Sequence, residues 1–406
     1  MRRLYPEALA DKSFDNTGLL LEAPFQPDRR RQNSVLLTID LTRSVADEAI
    51  ENNHSVVVAY HPIIFRGLKS LTLNDSQQSS LLRLAAYGIS VYCPHTAVDT
   101  VPDGMADWLC DVVTGKIDAP EPEVTVGDAQ SSASETDVTT SEESSTHSDS
   151  TKPTSPSADQ DSSDPFTSPT PKEKPKSKAR PSNNQRTYSK PTYPRPTSDF
   201  HPASIAHTRS VVTPSPSSAI ESANTLTSSS RFTPGNTGAG RLITFDNAQP
   251  LTVLITRIAH AIGLPRGFPV AIPQFASIED IQIKTVGLCP GSGSHVLSAC
   301  RPAPDLVFTG ELSHHEALAV TERGGCVISL FHSNSERGYL WGVMRDRLEE
   351  ELREEWEKVR NDEKGADPRT QEMLQDEMVG VEVSTRDRDP FGIVILQDSL
   401  VPGVEL

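Results

Sequence analysis

Histidines stand just beyond four stretches that read as β-strands, and carboxylates accompany them. His61 follows residues 55–60. His95 and Asp99 follow residues 89–93. Glu311, His314 and His315 follow residues 305–308, and His332 and Glu336 follow residues 326–331. Of 11 histidines, five lie in these short segments. Imidazole nitrogens and carboxylate oxygens together suit divalent ions such as Zn, Fe, Mn or Co. No cysteine joins the set, which argues against a structural zinc site of the cysteine type. Any one of these histidines has an ordinary explanation. His332 and Glu336, for example, also fit a polar strand end followed by a helix capped by Ser333, Asn334 or Ser335. Four strand ends that each deliver histidine are harder to explain that way.

The elements that must position these residues can be read from apolar periodicity. Runs at 35–40, 55–60, 89–93, 285–289, 305–311 (a strand to Phe308 and then a turn) and 326–331 predict strands, several with the continuous apolar character of buried parallel strands. A last strand is predicted over 391–396. Between them lie helical patterns at 44–50 (with Ser44 as N-cap and Asp47 three residues on), 81–87 and 251–262, the last closed by Gly263. A long charged helix follows Tyr339, its Glu/Arg pairs suited to a solvated face. Strand and helix in this alternation predict an α/β fold with mostly parallel sheets and packed helices. In such sheets ligands bind beyond the carboxyl ends of strands, where the histidines fall. Pro290-Gly291-Ser292-Gly293-Ser294 reads as a tight strand-to-helix turn that needs glycine for φ > 0. A backbone anion cradle is the weaker reading there.

Composition limits how much of the 406 residues can fold. Hydrophobic residues make up 35% of the chain and there are 32 prolines, and the deficit is concentrated in the middle. Residues 119–238 are dominated by Ser, Thr and Pro and lack any sustained period, so they are predicted to be disordered. A basic cluster at 172–180 inside them reads as a solvated charged run, with nuclear import or partner binding as the alternative. The net charge of −17 and pI of about 5.1 argue against broad electrostatic binding of nucleic acid. The five cysteines, with no CxxC pair, suit buried reduced thiols inside a cell. No apolar run is long enough to span a membrane and there is no secretory h-region. Met1-Arg2-Arg3 is basic, but Glu7 and Asp11 follow, unlike a mitochondrial presequence. Cytoplasm, mitochondrion and nucleus all stay open. The opening helical pattern, residues 4–10, is short for covering a sheet, which leaves open a start upstream of Met1.

Together the motifs resemble one family. Phe14-Asp15-Asn16-Thr17-Gly18-Leu19 looks like its opening DNxGL turn, Tyr60-His61-Pro62-Ile63-Ile64-Phe65 like its HHPxxF motif, and His95-Thr96-Ala97-Val98-Asp99 like its HTxxD motif. Thr309-Gly310-Glu311-Leu312-Ser313-His314-His315 looks like its TGExxHH motif, and His332 to Glu336 like its terminal HxxxE motif. This is the NGG-interacting-factor-three-like family, also labelled GTP cyclohydrolase I type 2. The resemblance covers residues 1–118 and 239–406. It implies a two-lobed Nif-three-like fold interrupted by the insertion at 119–238, with a dinuclear metal site between the lobes. Family ligands carry over to His61, Asp99, His332 and Glu336. The departure is Tyr60, where bacterial members have a second histidine and eukaryotic members similarly carry YHP. A phenol, with an ordinary pKa of about 10, binds a divalent ion poorly, so one or two ions are expected. His95 and His315 are near-site candidates for moving a proton. The folded domain that many bacterial members insert in mid-chain is replaced here by the 119–238 segment. The resemblance also implies a homo-oligomer, and a divalent-metal-dependent hydrolase of a nucleotide or phosphoester-type substrate. Hydrolysis of GTP itself rests on the family label, since no guanine-reading motif is present. The alternative is a non-catalytic partner of transcription factors, with the insertion as the partner-binding segment. No further cofactor and no direct nucleic-acid contact is expected.

Overall fold

Apolar strands of four or five residues, each followed by a helix that buries one face, build the region that carries the first histidines. In the computed structural model the described residues are 1–24, 26, 33–115, 187–188, 190–195, 202–263, 266–362 and 367–397. They belong to one compact unit drawn from Met1–Asp118 and Thr187–Leu400. In chain order the first elements are β1 (Gly18–Leu21), β2 (Ser34–Thr38), α1 (Arg43–Glu51), β3 (Val56–Ala59), α2 (Ser76–Ala86), β4 (Ser90–Cys93), α3 (Thr96–Thr100) and α4 (Met105–Thr114). Then come β5 (Thr187–Tyr188), β6 (His207–Pro214), α5 (Ser217–Thr227), β7 (Gly238–Pro250), α6 (Leu251–Ala261), β8 (Val270–Ala271) and β9 (Gln282–Ser292). The rest are α7 (Ser294–Leu297), β10 (Leu306–Glu311), α8 (His314–Glu322), β11 (Cys326–Ser329), α9 (Arg337–Tyr339), α10 (Arg345–Asp362), α11 (Pro368–Leu374), β12 (Gly380–Val383) and β13 (Leu396–Gln397).

Two main sheets result. The first has the order β1-β4-β3-β2-β12 and the second β6-β7-β9-β10-β11-β8. Both are mixed, which corrects the expectation of mostly parallel sheets. In the first, β2, β3, β4 and β12 run parallel and β1 is antiparallel to β4. In the second, only the β9–β10–β11 centre is parallel, and β6, β7 and β8 pair antiparallel. The antiparallel members sit at edges or adjoin them, where half-polar strands are tolerated, so their apolar signal is weak.

Three further expectations are corrected. Residues 119–186 lie outside the described residues, but the remainder of the segment read as disordered contains β6 and α5. β6 is an edge strand with alternating partial exposure, and α5 buries only Ile220 and Ala223. Neither needs the apolar content that marks a central element. The strand expected over 391–396 does not form as a continuous element, and the strand that precedes it, β12 (Gly380–Val383), was not expected. β12 pairs parallel with β2, so the C-terminal part of the chain returns to the sheet that carries His61. The predicted strand contributes only the bridge of Ile393 to Thr192 and the short β13. Finally, the N-cap of α1 is Thr42 rather than Ser44, its hydroxyl accepting from the Val45 amide.

The joint between the sheets is α4. Its Met105 packs in the core of the first sheet with Leu37, Val58 and Tyr339. Leu109, Cys110 and Val113 pack in the core of the second with Phe245, Leu288 and Phe308. A helix buried on two faces is hydrophobic nearly all round, as this one is. Full burial of each such side chain contributes about 1.5–3 kcal/mol. Buried Arg241 of β7 adds a polar clamp, with Nε and Nη2 donating to Asp107 of α4 at 2.8 and 3.1 Å. The five cysteines are free and buried, as expected. Among the described residues no helix is long and apolar enough to cross a membrane.

Candidate metal centre

His61 is set by regular sheet geometry. After β3 the ladder to β2 continues for two residues, with the Tyr60 amide donating to Thr38 at 2.8 Å and the His61 amide to Ile39 at 3.0 Å. Pro62 has no N–H and ends the pairing there. At the neighbouring strand end, Asp40 accepts from His61 Nδ1 at 2.9 Å. A carboxylate can only accept, so Nδ1 carries a proton, and the ring offers a lone pair at Nε2 once the second proton is given up. That Nε2 lies 3.4 Å from Oε2 of Glu336.

His332 and Glu336 are set by irregular backbone. Beyond β11, Phe331 adopts a left-handed conformation, φ +66°. Residues Ser333–Ser335 form a 3-10 turn before α9. Here too a carboxylate fixes the ring, with His332 Nδ1 2.8 Å from Glu311 Oε1, while Nε2 faces Glu336 Oε1 at 3.4 Å. One ligand atom each from His61, His332 and Glu336 lies within 4.8 Å of the others. Gly291, φ +58°, backs this group. A Cβ there would stand 2.7 Å from Glu336 Oε1 and 2.8 Å from His332 Nε2. The sequence reading of a glycine-dependent turn therefore holds at Gly291, although β9 runs on through it to Ser292.

The residues fit a divalent ion. His61 Nε2 and Glu336 Oε2 are buried without a hydrogen-bond partner, an arrangement that native interiors avoid. Burial alone would lower the His61 pKa, but the carboxylates of Glu336 and Asp40 outweigh it and push the ring up to about 11. The group thus holds a surplus of negative charge that a proton or a metal ion can answer. Histidine held at Nδ1 by a carboxylate, with Nε2 turned inward, is the usual outer-shell arrangement around protein-bound metals. It occurs twice here.

The structure places the other predicted residues differently. Asp99, on α3, is outside the three-residue group. It accepts at 2.8 Å from the hydroxyl of buried Tyr60. Burial pushes the Asp99 carboxyl up to about 7. Burial and the facing Asp99 hold the Tyr60 phenol well above its ordinary range, so it stays protonated and donates. His95 is brought close, its ring centroid 5.5 Å from His61 and 5.3 Å from Tyr60. Its Nδ1 is held at 2.6 Å by Asp15 of the opening turn, which also accepts from Thr96. His315 is not brought in. It is exposed on α8, with its ring against His314. Asp40 was not among the candidate residues read from the sequence, and Glu311 had no role assigned. Both stand at strand ends, one beside His61 and one in the TGExxHH motif, and that position was the available signal.

Known proteins resemble this chain over most of its length. The family model described as Duf34/NIF3 (NGG1p interacting factor 3) matches residues 1–363. The chain is 36% identical over 346 residues to Protein NIF3 homolog of Schizosaccharomyces pombe, covering 85% of each. It is 29% identical to NGG1-interacting factor 3 of Saccharomyces cerevisiae, covering 86% of this chain and 88% of that one. NIF3-like protein 1 of Homo sapiens is 28% identical, with 84% and 83% covered. In fold, the crystal structure of a Bacillus cereus protein related to NIF3 superposes with a TM-score of 0.53 at 15% identity, covering 97% of this chain and 96% of that one. With the motifs in order, both sheets in place and a curated relative above 30% identity, the chain belongs to the Duf34/NIF3 family.

Proposed function

We propose that this protein is a divalent-metal-dependent hydrolase acting on a small anionic substrate of the nucleotide or phosphoester type. The observation that carries the reading is the pair of orphaned inward-facing atoms, His61 Nε2 and Glu336 Oε2, beside an open cavity. That cavity, of about 860 Å³, shares Asp40 and His61 with the centre and is also lined by Arg43, Arg386 and Arg388. Three arginines around one cavity run against the net charge of −17, which supports an anionic ligand.

His61, His332 and Glu336 would hold the ion, with Asp99 completing the proposed ligand set. When bound, a divalent ion supplies Lewis-acid polarisation of a substrate oxygen and lowers the pKa of water. The chain's own residues do the rest. Asp40 and Glu311 keep both histidines in the tautomer that offers Nε2. Tyr60 keeps one Asp99 oxygen engaged, which favours one ion over two. His95, anchored at Nδ1 by Asp15, would hold or move a proton beside the centre. Exposed His315 suits contact with incoming substrate better than proton transfer. The alternative reading, a protein-binding role, is favoured by the name of the yeast relative, NGG1-interacting factor 3.

The test is a screen of the purified full chain, metal-loaded and chelated, against nucleotides and phosphoesters. Turnover that follows metal content and is lost in Glu336→Gln is expected. Metal uptake with no turnover in any of them would favour the protein-binding reading.

A further inference from the structure

We propose that Asp387 and Asp389, on the segment that follows β12, are positioning residues of the metal centre. The proposal rests on the metal-binding reading given above. These residues lie beyond the 1–363 matched by the family model, and nothing in the motifs points to them.

The need for such residues follows from the local backbone. In a continuous α-helix, residues four apart share a face automatically. His332 and Glu336 have no such support, because a left-handed Phe331 and a 3-10 turn precede α9. Something else must fix the turn, and the tail does. Asp389 Oδ2 accepts from both the amide and the hydroxyl of Ser333, at 3.1 and 2.7 Å. Ser333 adjoins His332. The same hydroxyl accepts from Arg337 Nη1 at 2.9 Å, and Arg337 adjoins Glu336. Arg337 Nη2 donates to Asp387 Oδ1 at 2.9 Å.

Asp387 then reaches the other half of the centre. Its Oδ2 accepts from the Ile39 amide at 2.8 Å, one residue before the Asp40 that orients His61. Two tail carboxylates thus tie the turn bearing two ligands to the strand end serving the third. The side chains of Asp387 and Arg337 are 2% and 7% exposed, and Asp389 is 1% exposed as a residue. Buried charged groups placed like this are costly unless paired and act rigidly when they are. Outer-shell partners of metal ligands typically set affinity by 10- to 100-fold.

The experiment measures Co(II) affinity by chelator competition, together with the visible spectrum of bound Co(II), which reports ligand geometry. It uses the full chain at a temperature well below unfolding. Asp389→Asn and Asp387→Asn, which reach the ligands only through Ser333, Arg337 and Ile39, are each expected to raise the dissociation constant by about 10-fold, the low end for direct partners of ligands, and to shift the spectrum. Ser333→Ala, a milder change at the shared hydroxyl, is expected to do the same to a smaller degree and keeps the test open if an aspartate variant fails to fold. Asp107→Asn serves as the control. It breaks a clamp to buried Arg241 away from the ligands, so it should lower thermal stability yet leave affinity within about twofold. Aspartate and Ser333 variants that bind Co(II) like the parent would overturn the positioning role and leave the metal centre standing. A parent protein that binds no Co(II) would overturn both.

Discussion

The two halves of the candidate metal centre are built by different means. His61 sits where β3 leaves a parallel ladder, and backbone pairing to β2 places both it and its half-buried partner Asp40. His332 and Glu336 sit on a turn with a left-handed residue and no strand or long helix to enforce their spacing. Side-chain hydrogen bonds from Ser335, Arg337 and the tail do that instead. A site residue on a strand end inherits its position from the sheet. One on an irregular turn needs partners from distant parts of the chain, and its geometry is only as stable as they are.

The largest effect should come where the irregular half is most crowded. Gly291→Ala would force a left-handed alanine, costing about 1–2 kcal/mol, and press its methyl against Glu336 and His332. Bound metal should fall below a tenth of the parent value by elemental analysis. Full retention of metal would mean that the turn yields easily and that the contrast between the halves is overstated.

The outer carboxylates sharpen the contrast at intermediate scale. Asp40 is mostly covered and Glu311 is 53% exposed at its side chain. Asp40→Asn should weaken metal affinity by about 10- to 100-fold, and Glu311→Gln by only a few-fold, because solvent screens and replaces an exposed partner. Equal losses in a titration of the two variants would break the comparison.

The histidines and their carboxylates were legible in the sequence because strand ends are marked by apolar runs that stop. β2, β3, β4, β10 and β11 all fall where periodicity placed them. The Tyr60–Asp99 contact was not legible, since spacing cannot say which of two neighbouring side chains turns inward. His315 looked equivalent to the other histidines in the motif. The helix that carries it buries only Val320 fully, leaving its first turn in solvent. β12 and the tail escaped because Gly380-Val381-Glu382-Val383 is short and its meaning depends on pairing with β2, more than 340 residues away. Long-range register of that kind has no local signature.

The smallest expected effect is in the acid range. Glu48 of α1 accepts from the Thr385 amide and hydroxyl at 2.9 and 2.8 Å and from the Ser384 hydroxyl. Burial would raise its carboxyl pKa, but these bonds outweigh it and hold it below the ordinary 4.5. A depressed folded pKa means the stabilisation is present above the unfolded value and is lost as pH falls through the folded one. Glu48→Gln should therefore cost about 1–2 kcal/mol near neutral pH, with the gap to the parent closing below about pH 4 in denaturant titrations. A gap that widens on acidification would reverse the assignment.

In the proposed centre His61, His332 and Glu336 hold a divalent ion and Tyr60 limits the number bound. Elemental analysis of metal per chain in the parent, Glu336→Gln and Tyr60→His tests it most directly. Close to one ion is expected in the parent, a loss of most of it in Glu336→Gln, and a rise toward two in Tyr60→His, where an imidazole replaces a phenol that stays protonated. If both variants carry the same metal content as the parent, the three residues are not ligands and the hydrolase proposal loses its chemistry.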